Sequence, residues 1–203
     1  MQMNLKGEFV SSSLFLPPRT MSRAPLRARV KERRVASLAA VLAYTNDSVV
    51  DRFCSDYGID VSEALRIFKD MLRWLWLNAT HTVELECGVV GVPEWLGIRA
   101  EQMVIDEMWH IFLLYTDAYR SFCLSYFGFM IGHAPNENSH QALSSEDLES
   151  YLTRYLTYVE KNLGQDTVVR WFEDYGEIYS EEKLLGRRVA VLQKRIKALA
   201  VNT

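Results

Sequence analysis

Apolar residues recur at the helical period through most of this chain, and in one segment they surround the helix. Between Val104 and Tyr115 only Asp106, Glu107 and His110 are polar. A helix apolar on nearly every side is one that other helices enclose. The segment from about 100 to 127 is therefore predicted as a buried central helix, with a break near Tyr115–Asp117 allowed. No alternating segment is strong enough for a sheet, although Val83–Val92 has room for a short extended piece. The predicted fold class is all-α, a single irregular bundle of about seven helices around that central one.

Flanking signals place the other helices. Pro17-Pro18, Pro25 and the serines at 11–13 break any period, so residues 1–25 are expected to form a weakly ordered N-terminal tail and 26–203 a single helical domain. A basic helix is expected from about Leu26, with Val35, Leu38 and Leu42 on one face. Asn46 or Asp47 is set to cap a helix that Gly58 ends. Asp60 with Glu63 has the spacing of a capping box and opens a helix bearing Val61, Ala64, Leu65, Phe68, Met71, Leu72 and Leu75. The three glycines and Pro93 within 88–97 read as a loop, as do the polar residues 132–142. Ser144 is set to cap an amphipathic helix ending at Gly164. A short helix follows from Asp166, with Trp171, Phe172 and Tyr175. Ser180 opens the last one, where Leu185, Val189, Leu192, Ile196 and Leu199 form a stripe.

Charge is unevenly spread. The net is -3 over 203 residues, too small to make nucleic acid a bulk partner. Residues 1–34 and 181–203 are basic and the middle is acidic, so the basic ends are expected to lie on an acidic body or to meet another protein. Three cysteines, Cys54, Cys87 and Cys123, are an odd and widely spaced set that fits a reducing compartment. No stretch is long and apolar enough to span a membrane, no secretory signal is visible, and a cytoplasmic location is expected.

Asp106 and His110 are four apart and share one helix face. The carboxylate can orient the imidazole, leaving its other nitrogen as base or ligand, or both can bind iron or zinc. Asp117 lies two turns on and close to that face. His133 can fold back from the segment after Gly128. A polar group in so apolar a setting needs a partner. Such a pair is more often a structural staple, and Tyr119 reads first as a core aromatic with its hydroxyl paired. Glu107-x-x-His110 has the spacing of di-iron bundles, but its second copy, Glu137-x-x-His140, falls in a predicted loop. His81, Glu84, Glu86 and Cys87 read as a solvated edge. The chain has no Cys-x-x-Cys pair, no phosphate-binding glycine loop and no Gly-x-Ser-x-Gly elbow.

Asp106, Trp109, His110, Thr116, Tyr119, Cys123, Gly128, His133 and Pro135 together carry a resemblance. In register they are similar to the Asp-x-x-Trp-His-x-His, Thr, Tyr, Cys, Gly, His-His-x-Pro pattern of the glycine-rich domain-containing protein-like family of bacteria and plants. Phe112 and Gly132 replace two of that pattern's histidines. The resemblance implies a helical domain within 50–180 and no settled activity.

Two functional readings follow. The first is a helical module that binds another protein, with the buried Asp/His motif in a structural role; the two missing histidines favour it. The alternative is a small metal-binding protein or metal-dependent enzyme. There Asp106, His110 and His133 are ligands or an acid–base set, with Tyr119 and Asp117 behind them.

Overall fold

The computed structural model describes residues 34–133 and 145–201. The expectations for the tail at 1–25, the helix start near Leu26, Pro135, Glu137, His140 and the Ser144 cap lie outside the described residues.

Helix α1 (Leu38–Leu42) is followed by α2 (Asp47–Tyr57) and α3 (Val61–Glu86). A 3-10 turn (Ala100–Gln102) leads into α4 (Met103–Leu114), then α5 (Thr116–Tyr126) and α6 (Ser145–Leu163). The chain continues through α7 (Gln165–Val169), a π segment (Arg170–Asp174), α8 (Tyr175–Ile178) and α9 (Glu181–Val201). The fold is all-α, with no strand among the described residues. The extended piece expected within 83–92 is instead the last turn of α3 and the turns after it.

Local chemistry sets the ends. The side chain of Asn46 accepts from Val49 N at the start of α2, and Gly58, with φ 62°, closes it. Asp60 accepts from Glu63 N to start α3. The capping box is only half formed. The Glu63 carboxylate accepts from the Tyr179 hydroxyl at 2.7 Å and pairs with Arg66 instead of turning back to the cap. Ser37 caps α1, its side chain accepting from Ala40 N.

The spine of the bundle differs from the expected one. It is α3, whose 26 residues span about 39 Å. Ile67, Phe68, Met71, Leu72, Trp74, Leu75 and Leu77 are buried along it. Helices α1, α2, α4 and α6 all pack on it. The segment predicted as a central helix over 100–127 opens as the 3-10 turn and breaks within the stretch where a break is allowed. Its second half turns at Tyr115, where ψ is 61°. Trp109 Nε1 then donates to the Tyr119 hydroxyl at 3.2 Å, although ten residues of straight helix would separate them by about 15 Å. Bending at Tyr115 also puts Phe112 and Phe122 in the same aromatic core, with ring centroids 5.5 Å apart. The all-round apolarity is thus satisfied by folding the segment on itself as well as by enclosing it.

Asp70, on α3, is fully buried. Arg170 donates to both of its oxygens, at 2.7 and 2.8 Å. Arg73 donates at 2.8 Å and the Tyr175 hydroxyl at 2.7 Å. A buried carboxylate is tolerated only when its lone pairs are met in this way. Arg170 and Tyr175 are five residues apart, a spacing that a regular α-helix spreads over different faces. The wider π turn brings them round to one side. The π segment therefore fits the demand of Asp70.

Candidate metal centre

Helix α4 carries Asp106 and His110 one turn apart, and His133 arrives after α5. Gly128, with φ 75°, turns the chain out of α5. The buried Tyr119 hydroxyl donates to the carbonyl of Ile131 at 2.7 Å. That bond fixes the backbone two residues before His133. The indole of Trp109 then packs against the His133 ring, with centroids 4.4 Å apart. Cys123 is fully buried under the same turn, and burial pushes its thiol pKa up. Trp109, Tyr119, Cys123 and Gly128 are thus the parts that carry His133 back to α4.

His133 Nε2 lies 2.9 Å from Asp106 Oδ1. His110 Nδ1 lies 3.7 Å from Asp106 Oδ2 and 3.9 Å from Glu107 Oε2. The two imidazole centroids are 4.6 Å apart. One ligand-type atom from each of Asp106, His110 and His133 falls within a sphere of contact where none is more than 4.8 Å from another. Atoms bound to one zinc or iron at about 2.0–2.2 Å are at most about 4.2 Å apart. The widest pair therefore exceeds that limit by about 0.6 Å.

The trio is not enclosed as expected. The side chain of His110 is 47% exposed, against 13% for Asp106 and 22% for His133. Residue 110 falls on the outer side of α4, and the greasy neighbours in sequence face the other way. The buried Asp/His motif of the sequence reading is therefore a surface-edge motif. Asp117 stands past the Tyr115 break at an exposed position of α5 and does not join the trio. Tyr119 is engaged at both ends of its hydroxyl, and burial drives its pKa far upward. Glu107, the acid of the Glu-x-x-His spacing, accepts from the Tyr57 hydroxyl at 2.5 Å.

A cavity of about 510 Å³ opens beside Asp106 and His133. Its walls include Trp74, Asn78, Trp95, Ile98, Arg99 and Met103. The segment 95–102 is held by α6. Trp95 stacks on Tyr151 at 4.3 Å. The Tyr155 hydroxyl lies 3.1 Å from both the Gly97 carbonyl and Gln102 Oε1. Burial raises Tyr151 to about 12, with Arg99 opposing the rise. The loop expected over 88–97 thus supplies part of this wall, which the sequence alone does not reveal because its partners lie on α6.

The cluster at His81, Glu84, Glu86 and Cys87 is the expected solvated edge only at Glu86 and Cys87, which are exposed. His81 is buried, with Nε2 2.7 Å from the Pro93 carbonyl. Glu84 accepts from the Tyr158 hydroxyl at 2.6 Å. Both tie the end of α3 to its surroundings.

No curated protein and no solved structure matches the chain. The poorly characterised family implied by the resemblance is met in part, under a different description that does not carry the glycine-rich name. Over residues 97–161, about a third of its length and including Asp106, His110 and His133, the chain is similar to an uncharacterised family described as UCP032817-like.

Proposed function

We propose that this protein binds one divalent transition metal, iron or zinc, through Asp106, His110 and His133. The observation that carries the reading is the meeting of one carboxylate and two imidazoles from separate chain segments, with all three ligand atoms within 4.8 Å. Imidazole and carboxylate are the donor set such ions take, and three protein ligands leave coordination positions open. Those positions would give the bound ion Lewis-acid or oxygen chemistry beside the cavity, whose size suits a small molecule. Tyr119 and Trp109 orient His133. Glu107 Oε2, 3.9 Å from His110 Nδ1, adds negative charge beside that ring.

The rival reading keeps the protein as an interaction module. In it the 2.9 Å contact between His133 and Asp106 is only a staple between α4 and the turn after α5. Metal analysis of protein purified without a histidine tag separates the two. We expect close to one equivalent of iron or zinc, lost in the His110→Ala, His133→Ala double variant while the helical circular dichroism stays. A metal-free protein that takes up neither ion on titration overturns the metal reading and leaves the staple.

A further inference from the structure

Helix α9 turns two faces outward from its axis. Leu184 is buried, and Val191 Cγ2 comes 3.2 Å from the position a Cβ would occupy on Gly58. Arg188 sits over the Tyr57 ring at 5.9 Å. Arg195 donates to the Ser55 carbonyl at 2.6 Å. Residues 184, 188, 191 and 195 therefore form the side that anchors α9 on α2. At 100° per residue, Leu185, Val189, Leu192, Ile196 and Leu199 form a second stripe about a quarter-turn away. All five are exposed, from 43% at Val189 to 70% at Leu199.

The spacing of that stripe is four, three, four, three, the repeat of a coiled-coil seam. Val189 and Ile196 take the a positions, and Leu185, Leu192 and Leu199 take the d positions. In a parallel coil, β-branched residues at a with leucine at d favour two strands over three or four. The flanking e positions are Gly186, Gln193 and Ala200, none of them charged, and the g positions are Arg188 and Arg195. A parallel pair sets each arginine beside an uncharged e residue of the other copy. An antiparallel pair would set Arg188 against the other copy's Arg195. Another basic segment, such as residues 1–33, is a poor cover for a helix carrying this much positive charge.

We infer that two copies of this chain associate in parallel through the Leu185–Leu199 stripe of α9. At their observed exposures the five residues leave on the order of 500 Å² per copy in water, so pairing through the stripe covers up to about 1,000 Å², the lower edge for a specific interface. A two-heptad helix in isolation would be marginal. Here α2 already holds it formed. The quarter-turn between the two faces sends the bodies to opposite sides of the two-fold axis.

The test is sedimentation equilibrium of the full chain, wild type and Val189→Glu, Ile196→Glu, with helicity and metal content measured in parallel. The expected result is twice the chain mass for the wild type and one chain mass for the variant, which keeps its helicity. Leu199→Cys in a Cys87→Ser background should oxidise to a covalent dimer, whereas an antiparallel pair would hold the two sulfurs about 20 Å apart. A monomeric wild type, a larger assembly, or a dimer that survives both glutamates overturns the proposal. A dimer without the disulfide overturns its parallel arrangement. None of these outcomes bears on the metal centre, whose own test is metal content.

Discussion

Tyr119 and Ile131 are joined by a 2.7 Å hydrogen bond between two buried groups, and this bond places the turn that ends in His133. Removing the hydroxyl leaves the Ile131 carbonyl and the Trp109 indole N–H without that partner. Tyr119→Phe is therefore expected to cost about 1–3 kcal/mol, read from urea denaturation. It should also weaken zinc or iron binding by about tenfold or more, as loss of an orienting group does. A variant with unchanged metal affinity would show that His133 is held without the clamp.

Gly128 has φ 75°, and a Cβ added there meets nothing within 4 Å. The penalty of Gly128→Ala is then conformational alone, about 1–2 kcal/mol. A melting-temperature drop of a few degrees with wild-type helicity is the expected outcome. A larger loss would mean that the segment after α5 rearranges.

Asp70 should be the most sensitive single position in the bundle. Asp70→Asn leaves Arg170 and Arg73 facing a neutral amide, and breaking a buried ion pair costs about 3–5 kcal/mol. The double variant Asp70→Asn, Arg170→Gln should cost less than the two single changes added together, because the stranded charge goes with its partner. Additive costs in a double-mutant cycle would contradict the network.

His81 makes stability fall in acid. Burial holds its pKa below the ordinary imidazole value, against the pull of the Pro93 carbonyl and Glu84. The unfolded chain thus takes a proton more readily than the folded one. Its contribution is complete above about pH 6.5 and is lost as pH falls toward the folded pKa. Between pH 7.5 and 5.5 the wild type should lose more stability than His81→Gln, measured as the shift in urea midpoint.

Much of the helical frame could be read from single residues. Asn46, Gly58 and Asp60 punctuate the chain where their side chains or backbone freedom are used. The convergence of His133 on Asp106 was also legible, since a glycine after an apolar helix offers the turn. The break at Tyr115 was legible only as one of two options. A segment apolar on all sides satisfies burial either straight or bent, and periodicity does not separate the two. Asp70 looks like any charged residue on an amphipathic helix, because Arg170 and Tyr175 lie 100 and 105 residues away. His110 shows the opposite error. Its neighbours are greasy, yet only its own angle on the helix decides whether it meets water.

The π segment at Arg170–Asp174 holds about one residue more than a regular helix would use there. Winding the same residues as a regular α-helix would rotate everything downstream by roughly a quarter-turn. Tyr175 would swing off Asp70, and Leu184 would leave its seat. Deleting one residue would instead leave that register nearly unchanged, because about four residues of α-helix turn the chain as far as the five of the wide turn. The irregular turn thus absorbs one extra residue and acts as the register pin for the C-terminal third.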